Sequence, residues 1–191
     1  MTCIAHSRYS KRNGDDMKKN LLITGGCRSG KSRFALDYAN RFFSKKIYLA
    51  TCEPLDEEMV YRIEDHKRMR GAEWETVEEP IEIVGKIRQY GKEVEVILLD
   101  CITLWISNLL LKWDDDSRII EEIERLRSTI KEVGTSMILV SNEVGMGIVP
   151  ADPLSRRFRD LSGMANQKIA EASDTVIFMV SGIQVFLKGQ E

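Results

Sequence analysis

The sequence predicts an α/β domain with a mostly parallel central sheet and helices on both faces. Three observations lead there. Short apolar runs alternate along the chain with longer segments of helical periodicity. One run, 94–100, is almost wholly apolar up to Asp100, as a strand buried on both faces of a parallel sheet has to be. The first run feeds Gly25-Gly26-Cys27-Arg28-Ser29-Gly30-Lys31-Ser32, which has the G-x-x-x-x-G-K-[ST] spacing of a phosphate-binding P-loop.

Each element has its own signal. Residues 21–24 (Leu-Leu-Ile-Thr) read as a short buried strand ahead of the glycine loop. Residues 32–42 follow as a helix, with Phe34, Ala35, Tyr38 and Phe42 at helical spacing. Residues 46–51 form a second strand, 55–70 a charged helix and 74–77 a short strand, after which Pro80 opens a helix to about residue 90. Beyond 94–100, an apolar helix covers 102–111. Another covers 117–133, with Ile119, Ile123, Leu126, Ile130 and Val133 on one face and Asp116 or Ser117 as its cap. Residues 136–141 read as a central strand, and Leu154, Phe158, Leu161, Ala165 and Ile169 stripe a helix over 153–172. Residues 175–180 and 184–187 close the chain as a hairpin around Ser181-Gly182. Residues 1–16, polar and mixed in charge, read as a flexible N-terminal extension, which leaves 17–191 as a single P-loop nucleotide-binding catalytic domain.

Bulk properties narrow the function classes. A length of 191 residues with 43% hydrophobic content suits one domain with a full core. The net charge of −2 supplies no basic field for nucleic acid. No apolar run reaches the roughly 18 residues of a membrane span, and the N-terminus lacks the apolar core of a signal peptide. Cys3, Cys27, Cys52 and Cys101 show no C-x-x-C pairing. Cys27 and Cys101 read as small buried residues of a reduced compartment, which places the protein in the cytoplasm. With only His6 and His66 in the chain, a His/Cys zinc site is disfavoured.

The chemistry concentrates at strand ends. Gly25 and Gly30 allow backbone angles that let successive N–H groups of the loop point at a phosphate at a helix N-terminus. Lys31 can reach the outer phosphates, and the Ser32 hydroxyl can ligate Mg²⁺. In open α/β sheets ligands bind at the carboxyl ends of the strands, and the P-loop, Thr51-Cys52-Glu53, Asp100 and Asn142-Glu143 all fall at such ends. Asp100 takes the place of the acid that helps hold Mg²⁺ in P-loop NTPases, the alternative being a turn-forming aspartate. His66 shares a helix face with Met59, Ile63 and Arg70, and Arg62 and Lys67 flank it. Those cations would keep the imidazole neutral and able to attack phosphorus, although a lone helical histidine is often just an exposed or packed side chain. Glu78 could reach a ribose hydroxyl or a metal, or simply face solvent. The glycine-bearing loop 142–150 either shapes a substrate site or is an ordinary connection.

Taken in order, these stretches resemble the bifunctional adenosylcobinamide kinase/adenosylcobinamide-phosphate guanylyltransferase family of cobalamin biosynthesis. The matching residues begin with Thr24 to Ser32 and Tyr48-Leu49-Ala50-Thr51. Glu58-Met59, Arg62-Ile63, His66-Lys67, Arg70, Trp74, Asp100-Cys101-Ile102-Thr103 and Asn108-Leu109-Leu110 follow. The most distinctive stretch runs from Val140 through Asn142-Glu143-Val144-Gly145-Met146-Gly147 to Pro150, with Phe158-Arg159-Asp160 and Asn166-Gln167 behind it. The resemblance covers about residues 20–187 and implies a RecA-like P-loop fold and a homotrimer. It implies phosphorylation of the aminopropanol hydroxyl of the corrinoid adenosylcobinamide with ATP or GTP. Transfer of GMP from GTP onto that phosphate then gives adenosylcobinamide-GDP and pyrophosphate.

Carried over by position, the family's guanylylated histidine is His66. Gly25, Gly26, Cys27, Arg28, Ser29, Gly30, Lys31 and Ser32 would bind nucleotide, with Thr51, Cys52, Glu53, Lys67, Arg68, Met69, Arg70, Glu78 and Asp100. Ser32 and Asp100 would hold Mg²⁺. Members of that family often carry two adjacent histidines where this chain has Asp65-His66, which leaves one candidate nucleophile. Two other readings fit the P-loop by itself: a small-molecule kinase in which His66 is structural, and a nucleotide-switched binding module without chemistry of its own.

Overall fold

The computed structural model describes residues 19–53, 57–71 and 73–189, apart from the side chains of residues 58, 59, 62, 65, 66 and 69. The expected extension over 1–16 lies outside the described residues, as do positions 55 and 56 of the charged helix. The first half of the chain forms β1 (Asn20–Gly25), α1 (Lys31–Phe42), β2 (Lys46–Ala50), α2 (Glu57–Arg70), β3 (Glu75–Glu78), α3 (Ile83–Tyr90) and β4 (Val96–Asp100). The second half forms α4 (Ile102–Lys112), α5 (Asp116–Glu132), β5 (Ser136–Val140), α6 (Pro153–Ala172), β6 (Thr175–Val180) and β7 (Ile183–Lys188).

The strands form one sheet in the order β3-β2-β4-β5-β1-β6-β7. Every neighbouring pair is parallel except the β6–β7 hairpin. The α/β architecture read from the sequence is therefore the observed one, with 136–140 as the middle strand. Alternation along the strands sends side chains to two cores. Leu22, Ile47, Leu49, Ile97, Leu99, Met137, Leu139 and Val176 face one side with α3, α4, α5 and α6. Leu21, Ile23, Tyr48, Val96, Leu98, Ile138, Val140 and Ile177 face the other, where Ala35, Leu36 and Ala39 of α1 and Trp74 cover them. Both faces are thus buried, which is why these strands read as unbroken apolar runs.

Three expectations need correction. The helix after Pro80 begins at Ile83. Glu79 Oε1 accepts from the N–H of Ile81 and of Glu82, which holds 79–82 as a turn. The carbonyls of Pro80 and Ile81 in that turn accept from Asn108 Nδ2 and Trp105 Nε1, which ties the turn to α4. The cap of α5 is Asp115 rather than Asp116 or Ser117, its carboxylate accepting from Ser117 N at 2.9 Å and Arg118 N at 3.5 Å. Cys101 is buried as expected, but Cys27 is exposed, because the P-loop turns its backbone inward and this side chain outward.

Candidate active site

The parallel register brings the carboxyl ends of β1 to β5 to one edge. Glu78 pairs with Ala50, Ala50 with Asp100, and Asp100 with Val140, so the ends of four strands lie in a row. The P-loop leaves β1 at the same edge, and α1 starts at Lys31 directly behind it. Its sharp bends fall at Gly25 (φ 142°), Arg28 (φ 53°) and Gly30 (φ 96°). Gly25 is also required by contact: a Cβ there would overlap the Met179 carbonyl oxygen of β6.

Two neighbouring segments brace the loop. Glu143 N–H donates to the Gly25 carbonyl, and Gly182 N–H, in the β6–β7 turn, donates to the Ser29 carbonyl, each at 3.0 Å. Lys31 is only 7% exposed. Its ammonium donates to the Gly26 carbonyl at 2.6 Å and reaches Ser29 Oγ at 3.5 Å, which holds it over the loop. Burial pulls its pKa below the ordinary lysine value, with nearby Cys101 and Asp100 acting in the opposite sense. A polyphosphate at the loop would offset that loss of solvation.

Asp100 ends β4 with Oδ2 accepting from the Tyr48 hydroxyl at 2.8 Å. Burial first, and Asp100 second, push the Tyr48 phenol well above its ordinary range, so it stays a donor. The Arg70 guanidinium lies 3.8 Å from the centre of the Tyr48 ring and is 4% exposed, and Trp74 meets the same ring edge-on. Thr51 is fully buried. Its hydroxyl donates to the Cys101 carbonyl and accepts from Cys101 N–H, both at 2.8 Å, and its carbonyl accepts from Asn108 Nδ2 at 2.8 Å. Cys52 and Glu53 follow at the surface.

Helix α2 is joined to β3 by an ion pair. The Lys67 ammonium and Glu78 Oε1 form an exposed ion pair at 2.8 Å, and Arg68 pairs with Glu64 one turn back. His66 lies in α2 next to Lys67; its side chain, like that of Met69, lies outside the described residues. At the end of β5, Asn142 N–H donates to Thr103 Oγ1 at 2.7 Å, and Ser141 Oγ donates to Asn166 Oδ1 at 2.6 Å. Asn166 Nδ2 in turn donates to the Asn142 carbonyl, and Arg159 donates to the Gly145 carbonyl. The base of loop 142–150 is therefore fixed, while Met146 and Ile148 stand 78% and 95% exposed.

A family model described as cobinamide kinase / cobinamide phosphate guanyltransferase (CobU) matches residues 21–187. The chain belongs to this family. It is 43% identical over 169 residues to the bifunctional adenosylcobalamin biosynthesis protein CobP of Pseudomonas aeruginosa, across 88% of this chain and 97% of that one. It is 40% identical over 180 residues to the bifunctional adenosylcobalamin biosynthesis protein CobU of Escherichia coli, across 88% and 99%. A solved Pyrococcus horikoshii OT3 protein superposes with a TM-score of 0.54 at 9% identity, across 91% of this chain and 87% of that one. An ATPase of a type III secretion system superposes with a TM-score of 0.51 at 10% identity, across 88% and 56%. These likenesses concern the fold alone. It is the RecA-like P-loop fold, with β5 inserted between the P-loop strand β1 and the acid-bearing strand β4.

In this CobU-family chain the structure gathers the P-loop, Thr51 to Glu53, Asp100, Glu78, Lys67 and the α2 backbone at His66 along one edge. It also separates their tasks. Thr51 is spent on an internal clamp and Arg70 on a buried ring stack, whereas Lys67, Arg68 and Glu78 are at the surface. Sequence reasoning missed what Tyr48 and Asn108 do. The signal was present in each: a phenol inside a buried strand and an amide inside an apolar helix must both find partners.

Proposed function

We propose that the chain works as an adenosylcobinamide kinase and adenosylcobinamide-phosphate guanylyltransferase through a covalent guanylyl-histidine at His66. One observation carries the reading: a braced P-loop, a carboxylate on a neighbouring strand and the His66-bearing helix share one sheet edge in a chain of this family. In the kinase step the P-loop amides and Lys31 hold the β- and γ-phosphates of ATP or GTP. The corrinoid hydroxyl attacks the γ-phosphorus and gives its proton to solvent, and the bond to the β-phosphate oxygen breaks, releasing the nucleoside diphosphate. In the second step an imidazole nitrogen of His66 attacks the α-phosphorus of GTP and pyrophosphate leaves. A phosphate oxygen of adenosylcobinamide phosphate then attacks the same phosphorus, the P–N bond breaks, and neutral imidazole is restored.

The residues divide by role. Gly25 to Ser32 bind the phosphates, and Thr51 to Glu53 with Glu78 and the 67–70 segment shape the guanine nucleotide site. Lys67 and Arg68 offset charge on the transferring group. Ser32 and Asp100 would hold Mg²⁺, a hydroxyl and a carboxylate being the oxygen ligands this ion takes. Among the described residues no cluster of three or more His, Cys, Asp or Glu side chains forms a metal cage. Mg²⁺ ordinarily takes one or two protein oxygens beside substrate phosphates and waters. When bound, it would neutralise the charge of the departing pyrophosphate. The family resemblance supports a homotrimer acting in the cytoplasm; among the described residues no helix is long and apolar enough to cross a membrane.

Labelling with GTP carrying the isotope on its α-phosphate tests the reading. The expected result is acid-labile, alkali-stable label on the wild type and none on His66→Ala. A wild type that phosphorylates adenosylcobinamide yet takes up no label is a kinase only. GTP binding without consumption in the presence of the corrinoid would make it a switch module.

A further inference from the structure

Tyr48, Asp100 and Arg70 form a chain of contacts that joins three elements. Tyr48 and Asp100 lie on adjacent parallel strands, where the phenol reaches the carboxylate at 2.8 Å. Arg70 is the last residue of α2, and Gly71, at φ 75°, ends the helix immediately behind it. Its guanidinium lies face-on to the Tyr48 ring at 3.8 Å. A buried guanidinium is costly unless a planar partner receives it, and an aromatic face does so. Among the described side chains of α2, Val60 and Tyr61 stand 41% and 68% exposed. A buried phenol in a strand needs an acceptor, and here the acceptor is the acid itself, so the hydroxyl fixes the rotamer of that carboxylate.

We infer that Tyr48 is a positioning residue, which orients Asp100 toward the nucleotide's metal and ties that carboxylate to the end of the helix bearing His66. The inference rests on the proposed function for the role of Asp100. The two chemistries are thereby linked: filling the site at Asp100 steadies the base of α2, and displacing α2 loosens the carboxylate.

Tyr48→Phe keeps the ring for Arg70 and removes only the hydroxyl. Binding of a fluorescent GTP analogue is measured across a Mg²⁺ series and again in EDTA, with hydrogen exchange of the 57–70 amides read in parallel. The half-saturating Mg²⁺ concentration should rise about tenfold or more, the low end of the scale of one lost hydrogen bond to a charged group. Affinity in EDTA should stay within about twofold, since a phenol acting through the metal site has no other route to the nucleotide. The extra protection that Mg²⁺-GTP gives the α2 amides in the wild type should shrink in the variant. An unchanged Mg²⁺ midpoint, or an equal loss in EDTA, overturns the inference. If the wild type itself binds GTP with no Mg²⁺ dependence, the metal assignment at Asp100 fails and this inference with it. Should Tyr48→Phe not fold, Arg70→Lys keeps the charge and loses the planar stack. It should then raise the same midpoint at least about twofold, and no rise overturns the inference.

Discussion

Replacing Gly25 with alanine strikes the point where the P-loop and the sheet depend on each other. The native φ of 142° lies in a region open to glycine and strained for other residues, at about 1–3 kcal/mol. The new Cβ would overlap the Met179 carbonyl oxygen and sit 3.1 Å from both Met179 N and Ser29 Oγ. All but the serine are backbone atoms of the paired strand, so no flexible side chain can yield. β1 and β6 must part at the Gly25–Met179 pair, which weakens about two hydrogen bonds worth about 1 kcal/mol each. The total loss is about 3–5 kcal/mol, a large share of the 5–15 kcal/mol roughly expected of a domain. Urea unfolding of Gly25→Ala beside Gly26→Ala measures it. Gly26 has open space around its Cβ position and no positive φ, so its alanine variant should stay within about 1 kcal/mol of wild type. Because the Gly25 carbonyl also receives Glu143 N–H, GTP affinity of the folded Gly25→Ala protein should drop about tenfold or more. A stability loss under about 1 kcal/mol would refute the close-approach argument, whose strain term alone is that large.

Two further outcomes follow from buried groups. Burial, with Asp100 beside it, pushes the Cys101 thiol up to about 12, so the native state keeps a proton that the unfolded chain releases from about pH 9 upward. Its contribution is complete below that range and is lost as pH rises toward 12, at no more than about 1.4 kcal/mol per pH unit. The stability difference between wild type and Cys101→Ala should therefore shrink from pH 8 to pH 11 in urea titrations, and a flat difference contradicts it. Asn108→Ala removes two donors and strands the buried Thr51 carbonyl, at an expected cost of about 2–3 kcal/mol by thermal or urea unfolding. A loss under about 0.5 kcal/mol would mean the clamp is incidental.

The elements that the sequence announced well were those whose signal is local. The apolar run expected as a strand at 94–100 forms one from Val96, and the stripe Ile119, Ile123, Leu126 and Ile130 is buried on α5 as its period implies, while Val133, expected to continue it, caps the helix end. The start of α3 was misread because Glu79 and the side chains of α4, remote in sequence, decide it. The burial expected of Cys27 failed for a related reason: in the P-loop the backbone conformation, not the residue type, decides which side chain is covered, and Cys27 is exposed while Ser29 and Lys31 are buried. Arg70 illustrates the same limit at the site. Its place among Lys67 and Arg68 marks it as one more cation, yet its guanidinium is buried against the Tyr48 ring.

From the sequence by itself came the α/β class, the phosphate-binding loop, the acid at Asp100 and, through the ordered motifs, the family. Each depends on residue types at fixed short spacings, which geometry ties to one local conformation. Only the tertiary structure decided which P-loop carbonyls are braced by Glu143 and Gly182, that Thr51 is a clamp, and that Tyr48 connects Asp100 to the end of α2. Those contacts span up to 153 positions, as between Ser29 and Gly182. They depend on strand order and register, and no local spacing encodes either until the whole sheet has formed.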